Sequence, residues 1–183
     1  MDTRRKLIDY ISADAVFHGD FTLTSGKKAT YYIDLRKISL DHRVAPLIGQ
    51  VMTELIADIP DVDAVGGLTM GADPIAAAVL HQSAALGRHY DAFVVRKEPK
   101  DHGRGRQVEG PDVDGKRVIV LEDTSTTGGS PLTAIAALEK AGAIVVGVAV
   151  VVDRATGARQ RIEEAGYPYR AAIGLADLGL DPQ

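Results

Sequence analysis

Val118-Ile119-Val120-Leu121-Glu122-Asp123-Thr124-Ser125-Thr126-Thr127-Gly128-Gly129-Ser130 passes from four consecutive apolar residues through an acidic pair into a loop of hydroxyls and glycines. An apolar run without alternation suits a central strand buried on both faces, as in parallel sheets covered by helices. Ser130-Pro131 reads as a helix cap followed by proline at the first helical position, and Gly142 as the left-handed stop. Ligands of such sheets bind beyond the carboxyl ends of the strands. Thr124 to Ser130 thus sets hydroxyls and glycine-backed amides at a helix N-terminus, where N–H groups and the dipole favour a phosphate. Glu122 and Asp123 would repel a phosphate alone, so they fit a ligand that also carries sugar hydroxyls, or a metal, within reach. The lysine of a Walker loop is missing, and so is the spacing of G-x-G-x-x-G. A buried strand and a polar turn would account for a lone Gly-Gly-Ser; the whole string is far more specific.

Outward from this stretch, strands and helices alternate. Upstream, Val62 to Leu68 is a short apolar run ending in Gly66-Gly67, a buried strand entering a tight loop. Asp73-Pro74 repeats the cap-plus-proline signal and opens a helix to about Ala85, followed by a strand from Ala92 to Lys97. Downstream, Ala143 to Val152 reads as a strand, Gly157 to Glu164 as a helix and Arg170 to Ile173 as a last strand. Nearer the N-terminus, Asp2 or Thr3 caps a helix with Leu7, Ile8 and Ile11 on one face. Phe17 to Tyr32 predicts strand, turn and strand, and a helix from about Arg43 to Ala57 stops at Pro60. This order specifies βαβ units and a parallel sheet with helices on both faces.

The 183 residues suffice for one α/β domain with modest appendages, and 45% hydrophobic with 25% charged residues is the composition of a chain with a real core. No cysteine is present, which excludes disulfides, thiolate catalysis and Cys-ligated metals and fits a cytoplasmic location. The apolar run Ile144 to Val152 is too short to span a bilayer, and Met1 to Lys6 has no apolar segment of a signal peptide behind it. No membrane role is expected. A formal charge of −4 argues against nucleic-acid binding, although local clusters of cations remain available to a small anion. Such a cluster exists in Arg96-Lys97-Glu98-Pro99-Lys100-Asp101-His102-Gly103-Arg104-Gly105-Arg106, inside the aperiodic stretch Glu98 to Lys116. A solvated loop is the ordinary fate of a charge run, but a loop beyond roughly 12–15 residues in a compact domain is usually functional or disordered.

The central string resembles the 5-phosphoribosyl-1-pyrophosphate signature of the type I phosphoribosyltransferases. Arg-Lys-Glu-x-Lys-Asp-His-Gly is similar to the catalytic loop of the orotate phosphoribosyltransferases within that family. The resemblance implies an α/β fold with a central parallel sheet flanked by helices and a small N-terminal hood, one domain over 1–183 with the hood at about 1–40 and the core at about 41–175. It implies a pentosyltransferase that converts orotate and phosphoribosyl pyrophosphate to orotidine 5′-phosphate and pyrophosphate. Glu122 and Asp123 would hold the ribose hydroxyls, and Thr124, Ser125, Thr126, Thr127, Gly128, Gly129 and Ser130 the 5′-phosphate. Mg²⁺ would be held through substrate oxygens and water, with no direct protein ligand expected. Lys100 and His102 would act on the transferring pyrophosphate, with Arg96 and Lys97 as anchors at the base of the loop, and Lys100, His102 and Asp123 as the catalytic set. Chemically, a flexible cationic lid admits substrate, then excludes water and stabilises the departing charge. The family resemblance also implies a homodimer whose lid reaches over the neighbouring site.

Gly19 to Arg36 resembles the family's substrate hood. Tyr32 would stack on the pyrimidine and Ser25-Gly26 would meet its polar rim, although Tyr31-Tyr32 alone reads as ordinary strand packing. Thr126 and Arg154 match positions that hold the pyrimidine and its carboxylate, for which the arginine fork is suited. Gly66 to Pro74 matches the pyrophosphate loop, where the resemblance implies a strained or cis peptide. Thr24 and Met70 depart from the common pattern, which has lysine at both places; Lys27 and Arg36 are expected to restore part of that charge. His18, His42, His81 and His89 read as surface or packing residues, and no His/carboxylate spacing points to a transition metal. Two alternatives remain open: a purine phosphoribosyltransferase, and a non-catalytic sensor of phosphoribosyl pyrophosphate.

Overall fold

The computed structural model describes residues 2–22, 28–99 and 106–182. Asp2 caps α1 (Thr3–Tyr10), its carboxylate accepting from the Arg4 amide at 3.2 Å, and Leu7 and Ile8 are buried. A π-helical stretch, Ile11–Ala15, leads into β1 (Val16–Thr22), which pairs antiparallel with β2 (Lys28–Ile33) in a separate two-stranded sheet. The core follows as α2 (Arg36–Ser39), α3 (Ala45–Leu55), β3 (Ala64–Leu68), α4 (Ala72–Ala85), β4 (Asp91–Val95), β5 (Val108–Glu109), β6 (Arg117–Ser125), α5 (Gly129–Lys140), β7 (Ile144–Asp153), α6 (Ala158–Glu164) and β8 (Tyr169–Gly174).

The main sheet has the order β5-β4-β3-β6-β7-β8 and is parallel except for β5, which runs antiparallel to β4. The unbroken apolar run of β6 has the expected consequence. Ile119 and Leu121 pack into a core shared with α1, α3 and α4, while Val118 and Val120 pack into a second core with α5 and α6. Because β3 proceeds to β4 on one side while β6 lies on the other, the chain diverges from the middle of the sheet. That divergence leaves a crevice beyond the carboxyl ends of β3 and β6, the switch point at which open α/β sheets bind ligands.

Several boundaries differ from the expectations. Helix α4 starts at Ala72 with Gly71 at the cap, and α5 starts at Gly129 with Gly128 at the cap in a left-handed conformation, φ 76°. Neither Asp73 nor Ser130 caps its helix. The first turn has no intrahelical partners for its N–H groups, so proline is tolerated throughout it and marks the turn rather than its first residue. Strand β6 runs three residues past Glu122 because Thr124 and Ser125 pair with Val152 and Asp153 of β7. The stretch Glu98 to Lys116 is not devoid of structure. Val108 and Glu109 pair with Val95 and Val94, and the Arg96 amide donates to the Gln107 carbonyl at 2.8 Å.

Candidate active site

A cavity of about 410 Å³ occupies the crevice between β3 and β6. Five segments wall it: Tyr32 to Arg36 at the end of β2 and beyond, Leu68 to Gly71 at the end of β3 and beyond, Lys97 after β4, the end of β6 with the β6–α5 turn, and Arg154 after β7. The loop after β3 approaches the acidic pair closely. A Cβ on Gly71 would lie 2.9 Å from Asp123 Oδ1 and 3.0 Å from Glu122 Oε1, so a side chain there would displace the carboxylates. The Thr69–Met70 peptide in this loop is cis. Asp73 in the first turn of α4 accepts a hydrogen bond from the Thr69 hydroxyl at 2.7 Å, which ties the loop to its helix.

Glu122 and Asp123 stand side by side at the cavity wall. Glu122 is only 7% exposed; its Oε1 accepts from the Asp123 amide at 3.2 Å, and Asp123 Oδ1 accepts from the Thr124 amide at 2.6 Å. Burial pushes the Glu122 carboxyl well above its ordinary 4.5, and the hydrogen bond and charge of Asp123 push in the same direction. A ligand that donates hydrogen bonds to this pair would relieve the same cost. Since the folded chain holds this proton longer than the unfolded chain, Glu122 stabilises the fold fully below pH 4.5, and the contribution is lost as pH rises to its raised value. The melting temperature of ligand-free protein is therefore expected to fall with pH across that window, and Glu122→Gln should flatten the slope. Equal slopes in thermal melts of the two proteins would overturn this account of the pair.

Two residues of the lining each carry an unpartnered polar atom. Thr124 Oγ1 and Arg154 Nε are buried without a hydrogen-bond partner among the described residues, and both residues line the cavity. Leaving such groups unsatisfied costs about 1–3 kcal/mol each, which a ligand's oxygens would recover. Thr126 and Ser130 also face the cavity, whereas Thr127, Gly128 and Gly129 lie outside its lining at the turn into α5. Ser125 is 2% exposed, and its hydroxyl turns inward to Tyr169 and Asp153.

The two tyrosines of β2 divide as strand alternation requires. Tyr31 is buried and donates its hydroxyl to the Asp181 carbonyl at 2.7 Å; Tyr32 is 37% exposed, lines the cavity and lies 6.3 Å from the Phe21 ring centroid. Lys97 faces the cavity, but Arg96 lies outside its lining, 3.7 Å from Glu109 of β5. Arg36 is at the wall with its guanidinium Nε 3.0 Å from Asp34, a cavity carboxylate that no sequence motif had singled out. Ser25 and Gly26, with Thr24 and Lys27, lie outside the described residues, as do Lys100 and His102. Among the described residues no three His, Asp or Glu side chains form a group that could hold a metal, and no helix is long and apolar enough to cross a membrane.

The family described as the phosphoribosyl transferase domain matches residues 43–166, which include the whole crevice apart from the segment after β2. The orotate phosphoribosyltransferase of Streptomyces avermitilis is 62% identical over 181 residues, 98% of this chain and 99% of that one. The chain belongs to the orotate phosphoribosyltransferase family. Its fold agrees with that of Mycobacterium tuberculosis H37Rv orotate phosphoribosyltransferase in complex with Fe(III) dicitrate, at a TM-score of 0.89 and 54% identity over 98% of this chain and 100% of that one. The same enzyme in complex with 5-phospho-alpha-D-ribosyl 1-diphosphate gives a TM-score of 0.85 and 50% identity, with 98% of this chain and 100% of that one covered. A type I phosphoribosyltransferase fold, expected from the central string, is the fold of this family.

Proposed function

We infer that this chain transfers the 5-phosphoribosyl group from phosphoribosyl pyrophosphate to orotate, giving orotidine 5′-phosphate and pyrophosphate. The observation that carries the reading is the composition of the crevice wall. An acidic pair for sugar hydroxyls stands between a helix N-terminus suited to phosphate and, after β7, an arginine with an unpartnered buried nitrogen. Glu122 and Asp123 accept from the ribose hydroxyls, and the turn from Thr124 to Ser130 donates its amides, with the hydroxyls of Thr124 and Ser130, to the 5′-phosphate. Arg154 pairs with the carboxylate of orotate, Thr126 meets the ring, and Tyr32 covers its face. Lys97, with Arg96 behind it and Lys100 and His102 from the loop, takes the charge of pyrophosphate.

The new bond joins a pyrimidine nitrogen to the anomeric carbon, while the bond from that carbon to pyrophosphate oxygen breaks and its electron pair departs with the pyrophosphate. The pyrimidine nitrogen loses its proton, which leaves with the pyrophosphate. The chain supplies no nucleophile; it holds the reactants in line and stabilises separated charge. Mg²⁺ fits this donor set, because the adjacent carboxylates Glu122 and Asp123 offer hard oxygen donors to a cation that is held mainly by ligand oxygens and water. When bound, it neutralises charge on the pyrophosphate oxygens. The family's homodimer, with the loop reaching over the neighbouring site, and a cytoplasmic location complete the proposal.

The test follows orotate by ultraviolet absorbance with phosphoribosyl pyrophosphate and Mg²⁺, beside runs with adenine, hypoxanthine and uracil. Turnover of orotate alone is expected. Turnover of a purine instead would overturn the assignment of the pyrimidine site, and binding of phosphoribosyl pyrophosphate without turnover of any base would make the chain a sensor.

Arg36 carries a separate expectation. With Met70 63% exposed at the loop where the family commonly has lysine, Arg36 supplies a cation on the same cavity wall. A charge-assisted hydrogen bond contributes about 1.5–3 kcal/mol when desolvated and less at a half-exposed site. Arg36→Ala is therefore expected to lower kcat/KM for phosphoribosyl pyrophosphate roughly five- to ten-fold, with Lys27→Ala acting in the same direction. Unchanged steady-state kinetics in both variants would remove the compensation.

A further inference from the structure

A buried hydroxyl node lies behind the cavity, joining two of the segments that wall it. Ser125 ends β6 and is paired in register with Asp153, which ends β7. The Ser125 hydroxyl is 2.6 Å from the phenol oxygen of Tyr169, the first residue of β8, and 3.2 Å from Asp153 Oδ1. An ionised carboxylate only accepts, so Ser125 donates to Asp153 and its oxygen accepts the phenolic proton of Tyr169. Tyr169 is 5% exposed, and burial pushes its pKa upward, so the phenol remains a donor. The Arg159 guanidinium lies 4.8 Å over its ring and donates to its carbonyl at 3.2 Å, which fixes the ring independently of the hydroxyl.

The node continues into the loop that carries Arg154. Asp153 Oδ1 also accepts the Ala155 amide at 2.9 Å, and Ala155 sits at φ 53°, a left-handed conformation that a non-glycine residue seldom adopts without such a restraint. The Arg154 amide donates to the Ser125 carbonyl at 3.3 Å, and the Thr156 hydroxyl donates to the Thr126 carbonyl at 2.6 Å. The last two of these bonds cross between the turn after β6 and the turn after β7, and the first fixes the β7 turn that they hold.

We propose that Tyr169 is a positioning residue which, through Ser125 and Asp153, holds the β6–α5 turn and the Arg154 turn at one fixed separation. On the functional reading above, this is the separation between the 5′-phosphate and the pyrimidine carboxylate of one bound nucleotide. A ligand that touches only one turn is indifferent to the separation. A ligand that spans both turns benefits from having it preset, because ordering the turns is then not deducted from binding.

The test is calorimetric titration of wild-type protein and Tyr169→Phe with orotidine 5′-phosphate and with inorganic phosphate. Tyr169→Phe retains the ring beneath Arg159 and removes only the phenolic donor. The expected result is a five- to ten-fold weaker Kd for orotidine 5′-phosphate, with the Kd for inorganic phosphate unchanged within two-fold. Ser125→Ala should show the same pattern, and the double variant should lose no more than either single one, since all three break one node. Tyr167→Phe, which alters an exposed phenol bonded to Glu139, should leave both affinities as they are. Equal affinities in wild type and Tyr169→Phe, or equal losses for the two ligands, would overturn the positioning role; should Tyr169→Phe not fold, Ser125→Ala decides in the same way. Wild-type protein that fails to bind orotidine 5′-phosphate at all would instead overturn the functional reading, and the inference with it.

Discussion

Replacing Lys100 with alanine should lower kcat by roughly 10²–10³, the effect of removing one preorganised electrostatic contact to a transition state. The reason lies in the charge of the crevice. Its described walls carry three cations, Arg36, Lys97 and Arg154, against the carboxylates of Asp34 and Asp123 and the Glu122 carboxyl, which holds its proton well above the ordinary range. One of those cations is already bonded to Asp34. Walls so nearly balanced cannot by themselves stabilise a departing pyrophosphate, whose negative charge grows as the bond breaks. On the proposed reading, positive charge beyond that of Mg²⁺ comes from the segment 96–106, where Lys100, His102, Arg104 and Arg106 follow Arg96 and Lys97 in the sequence. Such a contact is strongest in the transition state, so kcat should fall by a larger factor than KM rises. Steady-state kinetics with both substrates varied would measure this, and a fall of only a few-fold would take Lys100 out of the mechanism.

What the sequence made legible follows from the range of the interactions involved. Strands β3, β6 and β7 could be placed because each is a buried apolar run, and burial of both faces leaves a compositional trace that needs no neighbour to be read. Helix starts were displaced because Asp73-Pro74 and Ser130-Pro131 mark a first turn, while the caps are glycines. The two-residue strand β5 and the four-residue helix α2 are too short to repeat a period, so no pattern announced them. In the site, Glu122, Asp123, Thr126 and Arg154 were found because they belong to contiguous motifs, and the fold brings them to one crevice. Asp34 lies inside the hood stretch from Gly19 to Arg36, yet nothing in its spacing marks it as a cavity carboxylate. Tyr169 is 44 residues from Ser125, and only the crossing of β6, β7 and β8 brings their hydroxyls together. Interactions closed by topology leave no local spacing to detect.

A large effect on stability is expected from Gly67→Ala. Gly67 lies in β3 just past the last residue that pairs with β6, where the two strands part to open the crevice. A Cβ there would lie 2.1 Å from the Leu121 carbonyl oxygen and 2.8 Å from the Ala72 Cβ. Neither obstacle is the free end of a flexible side chain. Leu121 is held in the centre of the sheet by its pairing with Ala149, and Ala72 begins α4, so relief requires β3 to move away from β6. Overpacking a core ordinarily costs about 1–3 kcal/mol, and a collision with central backbone belongs at or above the upper end. At about 2–4 °C per kcal/mol for a chain of this size, the melting temperature should fall by roughly 6–12 °C. Activity should fall too, because the same displacement would shift Thr69 to Gly71 away from the acidic pair. Gly174→Ala is the matched comparison: its backbone is extended at φ −104°, and the nearest atom to an added Cβ is Asp177 Oδ2 at 3.9 Å. That variant should melt within about 0.5 kcal/mol of wild type, as surface substitutions away from special features do. If thermal unfolding placed Gly67→Ala beside Gly174→Ala, the close approach of β3 to Leu121 would not be what demands a glycine, and Gly67 would owe its place to something other than space.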